Sequence, residues 1–227
     1  MDACGCVDFA SIFDRRTAER DRDRYRRNGP DQSTRILLDM IGPYGVSGAT
    51  VLDVGGGIGV IDHELLKAGA ARAVLVDASA AYLDIARQEA QRVGLTDRMG
   101  FVSGDLVARA EEIEPADIVT LDRVVCCYSN VKALVAASAS RARTVYGLVL
   151  PRDWWLIRAG VRLVNLGMRI RRSPYRSYAH ANPGIDALVA AAGFRPSSES
   201  GTFFWRVVVY DRDGPSADAS PMSLTAE

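Results

Sequence analysis

Val51-Leu52-Asp53-Val54-Gly55-Gly56-Gly57-Ile58-Gly59 is the stretch whose reading decides the fold. Its first half is a short apolar run, Thr50–Val54, interrupted by a single acid, as in a strand buried on both faces of a parallel sheet. Its second half is four glycines within five residues. Glycine lets the backbone turn sharply and pass close to a neighbour or ligand. The apolar run of Ile61–Ala68 behind it has helical spacing. Strand, tight turn, helix is the opening of a β-α-β unit.

The same rhythm continues downstream. Ala73–Val76 reads as the next strand, and Ala80–Val93 as an amphipathic helix with Tyr82, Leu83, Ala86, Ala90 and Val93 on one side and Gly94 at its end. Strands are expected at Gly100–Ser103, Ala116–Leu121 and Thr144–Leu150, with a helix over Val131–Ser140. Ile185–Ala192 is a further helix, closed by Gly193. Phe194–Ser200 and Phe203–Tyr210 then form a terminal hairpin turning at Gly201. This order implies a mostly parallel sheet with helices on both faces and right-handed crossovers.

Upstream, residues 8–27 read as one charged helix whose apolar start is Phe9, Ile12 and Phe13, stopped at Asn28-Gly29-Pro30. A second helix begins near Gln32 and carries Ile36, Leu37, Met40 and Ile41 at helical spacing. Three parts are therefore expected: an N-terminal helical lid over 1–31, a main domain over 32–211 with an insertion at 151–182, and a disordered tail over 212–227, where Ser, Asp, Pro and Ala dominate.

The chain has 227 residues and a formal net charge of +0, which suits one large domain and gives no bulk charge for nucleic acid. The N-terminus lacks a basic start followed by an apolar stretch, and no segment offers about 18 uncharged apolar residues. A cytoplasmic protein with reduced thiols is the expectation. The four cysteines form two close pairs, Cys4/Cys6 and Cys126/Cys127, without C-x-x-C spacing, and no metal site is expected.

Three acids fall where strands end. Asp53 precedes the alternating Gly55, Gly57 and Gly59, with Gly56 between them. A dinucleotide fold asks for glycine or alanine at the sixth position from Gly55 to seat a pyrophosphate, and Val60 stands there. An acid so close would repel a pyrophosphate and attract an ammonium. Asp77, followed by Ala78, lies 22 residues beyond Gly55. That is near the ~20 expected of an acid taking both hydroxyls of a ribose. Gly104-Asp105-Leu106 follows the third strand: Asp105 can accept from an adenine amino group and the Leu106 N–H can reach a ring nitrogen. Each alone has a plain structural reading: a tight loop, a helix cap, a turn acid. Together they mark the edge where open α/β sheets hold ligands.

These residues resemble the class I S-adenosylmethionine-dependent methyltransferases. Asp53–Gly59 looks like the first motif of that family, Asp77 its second-strand acid, Gly104-Asp105 its adenine motif, and Asp117–Tyr128, including Asp122, its fourth-strand motif facing cofactor and acceptor. The resemblance covers about residues 32–211. It implies a Rossmann-like seven-stranded sheet with an antiparallel last strand, S-adenosyl-L-methionine as cofactor, and a small-molecule methyl acceptor. More narrowly, Leu121–Tyr128 with the arginine-rich helix before Asn28 is similar to the magnesium-protoporphyrin O-methyltransferase group, in which a carboxylate is methylated. That group often has a histidine where this chain has Cys127.

Tyr25, Cys127 and Tyr128 are the candidates near the methyl group, while His180 reads as a solvated loop histidine and His63 as structural. Residues 152–176 hold seven arginines against one aspartate, a local charge of +6, led by Trp154 and Trp155. Three readings fit: a lid whose arginines hold an anionic acceptor, a basic amphipathic helix lying on an anionic membrane, and a helix with one core face and one solvated basic face. Two functional alternatives stay open, a cofactor-binding protein without turnover and an NAD(P)-linked oxidoreductase.

Overall fold

A computed structural model describes residues 12–173 and 175–212. The N-terminal cysteine pair, the start of the helix expected over 8–27, and the tail from 213 onward lie outside the described residues. The elements run α1 (Arg15–Asn28), α2 (Gln32–Ile41), β1 (Thr50–Val54), α3 (Val60–Lys67), β2 (Arg72–Asp77), α4 (Ala80–Arg92), β3 (Met99–Ser103) and α5 (Leu106–Arg109). They continue with β4 (Ala116–Asp122), α6 (Val131–Ala139), β5 (Ala142–Pro151), α7 (Trp155–Ile170), α8 (Asn182–Ala191), β6 (Arg195–Gly201) and β7 (Trp205–Asp211).

The seven strands form one sheet in the order β3-β2-β1-β4-β5-β7-β6. The first five pair in parallel, and β7 enters antiparallel beside β5, with β6 on the outer edge. The parallel sheet, the crossover helices and the terminal hairpin are those expected from the alternation.

Period-two alternation sorts the core between the two faces of this sheet. Leu52, Val54, Val119, Leu121, Leu148 and Tyr210 pack with α6 and α8 on one side. Val51, Leu75, Ile118, Val145, Val149 and Val209 meet Leu37, Leu38, Leu65 and Leu83 of α2, α3 and α4 on the other. Each such side chain, fully buried, contributes roughly 1.5–3 kcal/mol relative to exposure. Asp53 falls on the second face by the same alternation. The parallel register sets it beside Thr120, whose hydroxyl donates to it at 2.6 Å.

Several boundaries differ from the expectation for local reasons. α1 begins at Arg15, where Asp14 takes the capping position and accepts from the Thr17 N–H at 2.8 Å; Phe13 thus stands outside α1. It ends at Gly29, whose φ of +68° carries its N–H back to the Tyr25 carbonyl. α8 begins three residues earlier than the apolar pattern suggested, with Pro183 in its first turn. Five short turns without periodicity lie outside the expected elements: α5 and 3-10 turns over Gly42–Tyr44, Thr96–Arg98, Ala110–Glu112 and Val125–Cys127.

Candidate functional site

A cavity of about 380 Å³ opens at the C-terminal ends of β1, β2, β3 and β4. All thirteen residues singled out in the sequence line it, from Asp53 and the Gly55–Gly57 turn through Asp77, Ala78, Gly104, Asp105 and Leu106 to Asp122, Cys127, Tyr128 and Tyr25. The lining carries six aspartates and two arginines, so the cavity favours a cationic ligand.

The glycine turn is a close-fitting floor. Gly55 has a φ of +63°, and a Cβ there would stand 2.5 Å from Val124 Cγ2. A Cβ on Gly56 would stand 2.4 Å from Asp53 Oδ2. At Gly55 and Gly56 no larger side chain fits without shifting Val124 or Asp53. Asp53 itself is 1% exposed. Burial, then the charge of Asp62, pushes its carboxyl well above the usual range, while the Thr120 hydroxyl bond works against them.

Asp62 is the unexpected member of this group. It is fully buried on α3, and neither oxygen meets a donor among the described residues. Burial pushes its carboxyl up to about 7, and it interacts with Asp53. A proton held between the two carboxyls is the arrangement that satisfies both. Its neighbour His63 is buried, held down to about 4 by desolvation and then Lys67, and stacked on Tyr25 with centroids 6.0 Å apart. The structural reading of His63 fits this placement.

Asp77 accepts from the Gly57 N–H at 3.0 Å and the Ser79 N–H at 2.7 Å, so it braces the glycine turn against the next loop. Burial raises its carboxyl, opposed by those two bonds. Asp105 caps α5 through the Val107 N–H at 3.1 Å. It also receives the Tyr128 hydroxyl, at 3.0 and 2.8 Å from its two oxygens.

Tyr128 is therefore fixed at the Asp105 end of the cavity. The Tyr25 hydroxyl likewise donates to Glu64 at 2.5 Å. Burial, then the acid partner, raises both phenols. Both rings wall the cavity while both hydroxyls are committed elsewhere. Cys127 Sγ lies 3.1 Å from the Tyr175 hydroxyl and 3.7 Å from Cys126 Sγ. The bond from Cys126 lowers the Cys127 thiol and raises that of Cys126.

Asp122, at the end of β4, accepts from the Thr34 hydroxyl at 2.5 Å and from Arg123 Nε at 3.0 Å. Arg123 also pairs with Asp31, the cap of α2. It holds a left-handed backbone, φ +63°, rare outside glycine and a form of strain that concentrates at functional positions. Arg123, Asp31 and Thr34 line the cavity and were not selected from the sequence. Asp31 before Gln32-Ser33-Thr34 carried a capping signal, and Arg123 stands next to Asp122. Neither signal says that the two meet.

Of the three readings of the insertion, the arginine lid gains no contact with the cavity. Among the described residues of 151–182 none lines the cavity, and the arginines of α7 face solvent. The segment after α7 instead lies on the back of the 123–128 turn. The Tyr178 N–H donates to the Cys126 carbonyl at 2.7 Å, and His180 Nε2 bonds the Tyr128 carbonyl at 2.9 Å. His180 is thus half-buried and bonded rather than solvated. Phe13 reaches the cavity and meets the ring of Tyr175, centroids 6.2 Å apart.

Residues 51–145 match the family model described as a methyltransferase domain. A ribosomal protein L11 methyltransferase of Deinococcus radiodurans is 38% identical over 78 residues, 34% of this chain and 29% of that one. The aligned stretch thus spans less than a third of that curated relative. Among solved structures, magnesium protoporphyrin IX methyltransferase from Synechocystis PCC 6803 with bound SAH superposes with a TM-score of 0.65 at 22% identity, covering 88% of this chain and 100% of that one. An O-methyltransferase family protein from Burkholderia thailandensis superposes with a TM-score of 0.68 at 19% identity, covering 89% and 62%.

Proposed function

We propose that this chain, whose residues 51–145 match a methyltransferase domain, is a class I S-adenosylmethionine-dependent methyltransferase that transfers a methyl group to an oxygen of a small acceptor, a carboxylate being favoured. The observation that carries the reading is the convergence of Asp53, Asp77, Asp105 and Asp122 from the ends of four adjacent parallel strands onto one cavity floored by the glycine turn.

Bound there, S-adenosylmethionine supplies an electrophilic methyl on a sulfonium. The residues divide the task of holding it. Asp53, with the proton of the pair kept on Asp62, would meet the methionyl ammonium as a carboxylate. Gly55, Gly56 and Gly57 let the backbone approach the ligand without a side chain between. Asp77 exchanges its bonds to Gly57 and Ser79 for the ribose hydroxyls, beside Ala78. Asp105 and the Leu106 N–H, next to Gly104, take the adenine edge. Asp122 adds negative charge near the sulfonium.

On the acceptor side, methyl transfer is an in-line displacement, and alignment alone supplies about 7–11 kcal/mol of its barrier. A carboxylate is already nucleophilic and needs orientation and exclusion of water more than a base. That fits a cavity whose three tyrosine hydroxyls, of Tyr25, Tyr82 and Tyr128, are committed to Glu64, Asp21 and Asp105. Tyr25, Cys127 and Tyr128 act as walls beside the methyl. Arg123, held by Asp31 and Asp122, and Arg24, paired with Asp21, are the two arginines of the lining that could orient the acceptor through their remaining N–H groups.

Calorimetric titration with S-adenosylmethionine and with its demethylated product tests the cofactor. Incubation of the pure protein with cell extract and a labelled methyl donor tests turnover. A metabolite gaining one methyl group in the mass spectrum is the expected result. Tight cofactor binding without any methylated product would favour a non-catalytic binding protein. Nicotinamide-cofactor binding in place of S-adenosylmethionine would overturn the whole reading.

A further inference from the structure

The outward face of α7 is unlike the rest of the surface. Trp155, Ala159, Leu163, Leu166 and Ile170 follow at steps of three and four residues, so they form one stripe along the helix. Trp155 is 75%, Leu163 70% and Ile170 74% exposed. Ile157 is the helix's buried residue. Asn165 ties the inner side down by exchanging bonds with the Ser177 backbone, at 2.8 and 2.9 Å. At the start of the stripe, Trp154 packs edge-on against Phe203 of the β6–β7 turn, with centroids 5.7 Å apart. Phe203 and Phe204 are exposed too and extend the apolar area.

Charge is segregated to the same place. Arg158, Arg162 and Arg169 run along the flank of the stripe at the same helical spacing, and Arg171 and Arg172 follow at its end, all exposed. The +6 of residues 152–176 stands out in a chain of net charge +0. None of these groups reaches the cavity, so they do not serve the acceptor there. Among the described residues no helix is long and apolar enough to cross a membrane.

We propose that α7, with Phe203 and Phe204, is a docking face for an anionic lipid surface. The stripe of Trp155, Leu163 and Ile170 enters the boundary between headgroups and acyl chains. The arginines beside it lay their stems along that boundary and bring guanidinium groups to lipid phosphates. A second copy of the chain suits this face less well, because pairing would bring two segments of +6 together.

Sedimentation of the full chain with lipid vesicles tests the proposal. The protein binds vesicles of phosphatidylcholine with about one third phosphatidylglycerol, and binds phosphatidylcholine alone far more weakly. The double substitution Leu163→Gln/Ile170→Gln, at exposed positions, lowers the partition constant by about a hundredfold. Arg158→Gln/Arg162→Gln lowers it by about fivefold per arginine on the anionic vesicles and leaves the neutral ones unchanged. Cofactor affinity is unchanged in all these variants, which shows that they fold. No binding to anionic vesicles, or binding equal to the native chain in Leu163→Gln/Ile170→Gln, overturns the proposal. So does a lipid-free dimer that the same double substitution dissociates.

Discussion

Replacing Asp62 by asparagine isolates the buried carboxyl pair beneath the glycine turn. Asp62 is fully buried, its oxygens lack donors among the described residues, and burial pushes it from 3.8 up to about 7. The folded state therefore holds its proton more tightly than the unfolded chain does. The stability this gives is complete below about pH 3.8 and drains away as pH rises through about 7. A rise from 3.8 to about 7 corresponds to about 4 kcal/mol between the two limits, as an upper value. Asparagine keeps the shape, does not titrate, and offers an N–H donor to the ionised Asp53. Asp62→Asn is expected to exceed the native protein by no more than about 2 kcal/mol near pH 5, and by up to about 4 kcal/mol at about pH 8.5. In a domain of this size that is a rise in Tm of up to about 8–16 °C. Scanning calorimetry of both proteins from about pH 5 to 8.5 reads the difference directly. Parallel pH profiles, or a variant less stable than the native chain at high pH, would refute the shared-proton account.

Other substitutions probe the cavity and the frame. Asp77→Ala should weaken binding of S-adenosylmethionine by about 10–100-fold by calorimetry, through loss of charge-assisted hydrogen bonds, with the circular dichroism spectrum retained. Gly56→Val should abolish measurable cofactor binding, since a Cβ there stands 2.4 Å from Asp53 Oδ2; binding within about threefold of native would show that the turn is not the floor of the site. Tyr128→Phe removes a hydroxyl bonded to both oxygens of Asp105 and should cost about 1 kcal/mol of cofactor affinity while leaving the pH profile of turnover unchanged; a lost basic limb would mean that the phenol is the base. Arg206→Ala breaks bonds to Asp186 and Glu199 from a side chain 8% exposed and should lower stability by about 2 kcal/mol in denaturant titration, discounted for its half-exposed partners.

The order of elements was legible because it is written in local periodicity. Thr50–Val54, Ala80–Val93 and Val131–Ser140 each reveal their state within their own residues. The hairpin at Gly201 and the cap at Gly29 follow from backbone freedom at one position. Boundaries failed where a polar side chain intervened. Asp14 sets the start of α1 because its carboxylate accepts from the Thr17 N–H. The turn at Val125–Cys127 has no periodic signal.

For the candidate site, the sequence by itself determined which residues stand at the ends of the strands, because chain order and the right-handed crossover fix that edge. Asp53, Gly55, Asp77 and Asp105 came from this, whereas Asp122 came from the family resemblance. What their side chains touch was decided by packing between elements far apart in the chain. Tertiary structure sent the Tyr25 hydroxyl to Glu64 and that of Tyr128 to Asp105. It also joined Asp31 to Arg123 across 92 residues, and set Asp62 against Asp53 in a dry interior. It turned the apolar stripe of α7 outward, although its periodicity is that of a core helix. Periodicity records which residues share a face. Which surface that face meets depends on the neighbours that fold against it.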